Sequence, residues 1–213
     1  MKLYSYWRST TSYRVRIALN LKGIAYETVP VDLVAGDQRR DEYVDLNPGK
    51  GVPTLELDDG TVLTQSMAIL DYIDATWPDP KLIPIDPLAR AKVMAVADTI
   101  ALDVHPVNNL RLIGQLKSRF AATPEQATDW MCHWMQQGFA AVEALLPKRD
   151  GFAFNAEPNI ADICITAQVY NARRWGVDLD DFPNIARIEH RCLTLSAFAD
   201  AHPDNQPDAK VQL

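Results

Sequence analysis

Four hydroxyl side chains stand in a row at Ser9, Thr10, Thr11 and Ser12, between a short apolar run and an amphipathic one. The run before them, residues 2–6, reads as a strand; residues 12–22 read as a helix stopped by Gly23. Hydroxyls and unpaired backbone N–H groups then gather at a helix N-terminus, where the positive end of the helix dipole favours an anion. Residues of these types also serve simply as helix caps, and the cluster by itself does not decide between the two uses. If the anion is a thiolate, the segment is a catalytic site, and Arg8 abuts it.

Two further groups of residues bear on that choice. Val52-Pro53-Thr54-Leu55 follows Asn47-Pro48-Gly49-Lys50-Gly51 and starts a strand. A proline at such a junction is a place for a cis peptide, which would turn the Val52 backbone outward and leave its N–H and C=O for an extended peptide. An ordinary trans proline at the first strand position is the alternative. Gln65-Ser66 precedes a third helix. Ser66 can cap that helix, or offer its hydroxyl and N–H to a carboxylate with the Gln65 amide beside it, and the two uses are compatible.

The elements that must position these groups follow from the pattern. Residues 26–31 read as a second strand and 41–46 as a short helix. Residues 54–57 and 61–63 flank Asp58-Asp59-Gly60, a hairpin signal, and 66–76 form the third helix. Pro78, Pro80, Pro84 and Pro87 then mark a linker. Beyond it no strand is expected. Residues 90–113, 124–146, 160–175 and 184–199 read as long amphipathic helices, and Asn159-Ile-Ala-Asp162 as a capping box with Asp in place of Glu. The stretch after Asp200, polar and Pro-rich, reads as a loosely docked tail. The expected domains are therefore 1–80, an α/β unit, and 89–213, all-helical, with 81–88 as linker.

Composition narrows the class. The chain has 213 residues, 47% hydrophobic and 23% charged, as in a soluble globular protein. It holds no apolar run long enough for a membrane span and no signal-peptide pattern at its start. Cys132, Cys164 and Cys192 are odd in number and widely spaced, which argues against a disulfide framework or a zinc site and suits a reducing cytoplasm. A net charge of −7 without a basic run argues against nucleic-acid binding. Any anionic ligand must be held by local arginines against the overall field.

The segments Ser9-Thr-Thr-Ser-Tyr-Arg-Val-Arg-Ile-Ala-Leu, Asn47-Pro48, Val52-Pro53-Thr54-Leu55, Gln65-Ser66-Met-Ala-Ile and Asn159-Ile-Ala-Asp162 together resemble the zeta-class glutathione transferases. The resemblance runs essentially end to end, through Gln206-Pro207-Asp208, and is strongest to the glutathione-dependent isomerases of maleyl compounds. It implies a thioredoxin-like N-terminal domain that binds glutathione, an all-α C-terminal domain that completes a substrate pocket, and a cytoplasmic homodimer. It also implies roles. Ser9 would stabilise the glutathione thiolate, helped by Thr10 and Thr11; Gln38, Val52 and Pro53 would hold the tripeptide, and Gln65 and Ser66 its γ-glutamyl end. His105, Asn109 and Arg111 would line the glutathione site from the helical domain. Arg8, Asn108, Arg111 and Arg174 would take a small dicarboxylate substrate, with Arg173 a neighbour hard to tell from Arg174, and Arg14 and Arg16 would be structural or interface residues. Two positions depart from the family: Thr11 stands where the signature has cysteine, and His105 where glutamine is usual.

The implied activity is cis–trans isomerisation of maleylpyruvate to fumarylpyruvate in aromatic catabolism. Thiolate addition would convert the double bond to a rotating single bond, and elimination would restore it. Arginines suit the substrate's carboxylates and the enolate charge. Maleylacetoacetate isomerisation is the alternative within the same frame. A general conjugating transferase would want an open apolar pocket without arginines, and a non-catalytic interaction module would not need Ser9, Gln65 and Ser66.

Overall fold

A computed structural model of the protein describes residues 1–209. The chain forms two compact units, Met1–Lys81 together with the residues from Leu193 on, and Leu82–Cys192.

The first unit runs β1 (Lys2–Ser5), α1 (Thr10–Leu21), β2 (Glu27–Pro30), α2 (Asp41–Leu46), β3 (Thr54–Glu56), β4 (Val62–Thr64) and α3 (Ser66–Thr76). Its sheet has the order β2-β1-β3-β4. β1 and β2 are parallel, so the chain between them must cross over, and α1 is that crossover. β3 runs antiparallel to both β1 and β4, with Leu3 opposite Leu55 and both fully buried. This is the expected thioredoxin-like layout. Gly60, at φ 84°, turns the hairpin.

Two boundaries differ from expectation, and both bear on function. α1 begins at Thr10, with Ser9 as its cap: the Ser9 backbone is extended and its Oγ accepts the Ser12 N–H. The hydroxyl row is thus the cap and first turn of the helix rather than a segment before it. α3 begins at Ser66, but the cap position is Gln65, at φ 69° and without a side-chain cap bond. Ser66 is therefore not the cap.

Up to Asp208 the stretch expected as a loosely docked tail is held in place, and its positions 210–213 lie outside the described residues. The helix α10 (Ser196–Ala201) packs on α1. Phe198 is fully buried. Tyr13 Oη donates to Phe198 O at 3.3 Å, and Asn20 Nδ2 to Ala197 O at 3.1 Å. Further on, Asp208 accepts the Trp7 N–H at 3.0 Å. The polar composition misled because short segments can be held by side chains of distant elements as well as by their own apolar residues. Arg16, fully buried on α1, donates to Ser5 Oγ at 3.0 Å, Trp7 O at 3.1 Å and Ala201 O at 3.0 Å, a structural role as expected.

The second unit is helical, and among the described residues no strand follows β4. α4 (Pro87–Asp98) is capped by Asp86, which accepts the Ala89 N–H at 2.8 Å. The expected single helix over 90–113 is broken. A wide, π-helical stretch at Thr99–Val104 leads into the short α5 (His105–Val107) and a break at Asn108, and α6 (Leu110–Phe120) starts anew with Asn109 as cap. Pro106 lacks an N–H and crowds the preceding turn, so the ladder must widen or stop there. α7 (Pro124–Leu145) and α8 (Ile160–Arg174) follow; α8 packs on α4, and the π-helical stretch lies against α7. The capping box at α8 is present: Asn159 Oδ1 accepts the Ala161 N–H and Asp162 accepts the Asn159 N–H, both at 2.9 Å. The expected helix 184–199 divides into α9 (Pro183–Leu193) and α10, with Thr194 and Leu195 between them.

Candidate functional site

In the first unit the hydroxyl row meets the strand-entering segment of β3. Ser9 Oγ lies 2.8 Å from Thr11 Oγ1, and Thr11 donates to Val52 O at 2.8 Å. A hydroxyl has one proton. Thr11 directs its proton to Val52, so Ser9 is the donor of the pair. The result is a directed wire, Ser9 to Thr11 to Val52, whose far end is a backbone carbonyl. Ser9 also accepts the Ser12 N–H at 3.2 Å. The Ser9 and Thr11 protons thus go to Thr11 Oγ1 and Val52 O, and the Val52 carbonyl oxygen, with two lone pairs, can accept a second donor. The Val52–Pro53 peptide is cis.

A second network, absent from the sequence reading, fixes the Val52 segment. Tyr43 Oη donates to Gly51 O at 2.5 Å and lies 2.9 Å from Thr54 Oγ1. Asn47 Nδ2 reaches Gly51 O at 2.9 Å and Thr54 Oγ1 at 3.0 Å, while its Oδ1 accepts the Gly49 N–H at 2.9 Å. Asn47-Pro48-Gly49 carried a turn signal. Nothing marked Tyr43, whose burial pushes its phenol upward from its ordinary value.

Gln38 lies in a 3₁₀ turn, Asp37–Arg39, and is buried. Its Nε2 donates to Leu33 O at 3.3 Å, and its Oε1 has no partner among the described residues. Ser66 is buried at the start of α3, where its hydroxyl accepts from Arg14 at 3.4 Å; Gln65 is exposed beside it. Arg14, buried on α1, thus ties the two helix starts together. Arg8 is half-buried, with its guanidinium 4.8 Å from the Trp7 ring centroid and 3.1 Å from Tyr6 Oη.

In the helical unit the break between α5 and α6 gathers four of the expected residues, His105, Asn108, Asn109 and Arg111. Asn108 is 9% exposed, and neither its Oδ1 nor its Nδ2 has a partner among the described residues. Asn109 Oδ1 takes the Arg111 N–H at 3.1 Å as the cap of α6, so its oxygen has a structural duty the sequence did not signal. The Arg111 side chain is exposed. At the end of α8, Arg173 is bound to Glu189 through Nε at 3.0 Å and Nη2 at 2.6 Å, which separates it from Arg174, whose guanidinium sits 4.7 Å from the Trp175 ring.

Residues 1–75 match the family of the glutathione S-transferase N-terminal domain. Over 210 residues the chain is 44% identical to the maleylacetoacetate isomerase of Pseudomonas aeruginosa, covering 98% of each. A thioredoxin-like sheet with hydroxyls at the start of its first helix, followed by a helical unit, is the layout of that family, and the chain belongs to the glutathione transferases. Its similarity is to the zeta class in particular. A holo structure of maleyl pyruvate isomerase, a bacterial glutathione S-transferase of that class, matches with a TM-score of 0.96 at 41% identity, over 99% of this chain and 100% of that one. The maleylacetoacetate isomerase of Methylobacterium extorquens AM1, solved with malonate and glutathione bound, matches with a TM-score of 0.94 at 37% identity, over 99% of this chain and 100% of that one.

Proposed function

We propose that this protein is a glutathione-dependent cis–trans isomerase of maleyl keto acids, with maleylpyruvate as its substrate. The single observation that carries the reading is the hydroxyl cap of α1 set against the Val52 carbonyl, in a chain whose relatives are isomerases of that kind.

The residues present fit glutathione. Gln38 Oε1 is a buried acceptor with a spare place, Val52 offers a backbone carbonyl, and the start of α3 holds a hydroxyl and N–H groups suited to a carboxylate. Ser9, Thr10 and Thr11 would hold the sulfur end, Gln38, Val52 and Pro53 the peptide, and Gln65 and Ser66 the γ-glutamyl end; the resemblance also assigns His105, Asn109 and Arg111 to glutathione. Bound glutathione supplies a thiolate that adds to a conjugated double bond and leaves it again, so that the bond can turn in between.

The chain's own contribution is electrostatic. Ser9 donates a charge-assisted hydrogen bond toward a thiolate, stronger than the neutral bond it makes to Thr11. The N-terminal dipole of α1 favours the same charge. Arg8 carries a guanidinium beside this segment, and Arg111 and Arg174 are the cations of the helical unit assigned to the substrate's carboxylates, with Asn108 as an amide partner. The Arg173–Glu189 pair supports giving that role to Arg174. Three reduced thiols support a cytoplasmic location, and the resemblance supports a homodimer.

The test follows the ultraviolet absorbance of freshly generated maleylpyruvate with the purified protein, with and without glutathione. Conversion only with glutathione is expected. The 44% identity to a maleylacetoacetate isomerase favours a second reading, the longer substrate, and the same assay on maleylacetoacetate ranks the two by kcat/KM. No conversion of either, with glutathione still binding, would sink the isomerase reading.

A further inference from the structure

The turn that carries Arg8 is held from the far end of the chain. Residues 6–9 form a tight turn, closed by the Ser9 N–H donating to Tyr6 O at 2.9 Å. The N–H of the second residue of such a turn has no partner inside it. That residue is Trp7, only 5% exposed, and its N–H donates to the Asp208 carboxylate at 3.0 Å, across 201 residues. The Trp7 carbonyl accepts from Arg16, which also donates to Ala201 O. The Arg8 guanidinium in its turn rests on the side chains of the same turn. It lies 4.8 Å from the Trp7 ring centroid and donates to Tyr6 Oη at 3.1 Å. Its Nε has no partner, and it enters no ion pair, among the described residues.

We propose that Asp208 is a positioning residue for Arg8. Its carboxylate meets a backbone N–H that burial would otherwise leave unmet, and a hydrogen bond to a charged acceptor is a strong one. Fixing the Trp7 backbone fixes the indole, and the indole is the platform under the guanidinium. Without the acceptor, the turn must shift until the Trp7 N–H finds water. Arg8, whose contacts come from Tyr6 and Trp7, then moves with the turn. Asp208 and Arg8 form no ion pair with each other, so the coupling runs through Trp7 and leaves the Arg8 charge available to an anion. The last described residues of the chain thereby set the place of a cation near its start.

The inference rests on the isomerase reading, in which Arg8 acts on the substrate, and a double-mutant cycle separates the two. The wild type, Asp208→Ala, Arg8→Ala and the double variant are compared by kcat/KM on the better of the two maleyl substrates, at saturating glutathione, and by thermal melts. Asp208→Ala is expected to lower kcat/KM about tenfold, the scale of one hydrogen bond to a charged group. In the Arg8→Ala background the same substitution should change kcat/KM less than about twofold, because the residue it acts through is gone. The melting temperature should fall equally in both backgrounds. Asp208→Asn keeps an acceptor oxygen and should stay within about threefold of the wild type. A merely structural Asp208 would lower kcat/KM by the same factor with or without Arg8. That result overturns the proposal, as does full activity in Asp208→Ala, or an Asp208→Asn variant no better than Asp208→Ala. Asp208→Ser and Arg8→Gln serve the same comparison should either alanine variant not fold. A wild type that converts neither maleyl substrate with glutathione overturns the isomerase reading and this inference with it.

Discussion

Ser9 carries two duties at once, and they can be separated by mutation. It caps α1 through the Ser12 N–H and supplies the hydroxyl proposed to face the thiolate. Ser9→Ala should cost about 1 kcal/mol of stability for the cap. It should also lower kcat/KM on the order of 100-fold, the scale for loss of one donor to a developing charge. Denaturant midpoints and initial rates on one preparation check both numbers, and a purely capping serine would move only the first. Arg16 is the contrasting case: its three acceptors, Ser5, Trp7 and Ala201, are structural. Arg16→Lys cannot reach all three and leaves buried carbonyls unmet, so a loss of about 2–4 kcal/mol in urea unfolding is expected. At this scale the sequence showed the hydroxyls well, because cap residues and anion-site residues are chemically the same. It did not show Arg14 reaching Ser66, a contact made across 52 residues, nor the unmarked Tyr43 that steadies Gly51.

Helix ends and helix defects were legible to different degrees, and the difference is physical. The capping box at Asn159 and Asp162 was readable because both partners lie within four residues. The wide turn at Thr99–Val104 was not, because a proline such as Pro106 permits either a kink or a stop, and the apolar period runs on through both. Gly138 on α7 is the counterpart of that turn: a Cβ there would lie 2.0 Å from a methyl of Val104. Gly138→Ala should therefore destabilise by about 1–3 kcal/mol, although alanine is the better helix former, and Val104→Ala added to it should recover part of the loss in thermal melts. Asp162 gives the pH signature of the same unit. Burial pushes its carboxyl from 3.8 up to about 6, although the Ala153 and Asn159 N–H groups favour the charge. The folded state thus prefers the protonated form. That stabilisation is complete below about pH 4 and is lost as the pH rises through 6, up to about 3 kcal/mol in all. Asp162→Asn does not titrate, so its stability relative to the wild type should rise by about that amount between pH 4 and 7. A gap that stays constant in urea titrations across that range would refute the assignment.

Across the whole chain, the first unit is discontinuous: residues from Leu193 on belong with Met1–Lys81. The first segment of that unit ends at Lys81, within the stretch where Pro78, Pro80, Pro84 and Pro87 interrupt regular structure. The return of α10 to α1 had no local signal, since it rests on Phe198 burial and on bonds from Tyr13, Arg16 and Asn20, each made across more than 170 residues. Ending the chain at Leu195 removes Phe198 and the Ala201 carbonyl together. Such a truncation should lose the cooperative thermal transition of the first unit by circular dichroism, well beyond the effect of any single surface substitution. There is a further consequence during synthesis. Roughly 110 residues separate Lys81 from Leu193, and at about 5–20 residues per second a ribosome needs on the order of 10 s to make them. For that time the nascent α1 waits without the α10 segment that packs on it. A circular permutant beginning at Leu193 would shorten that wait.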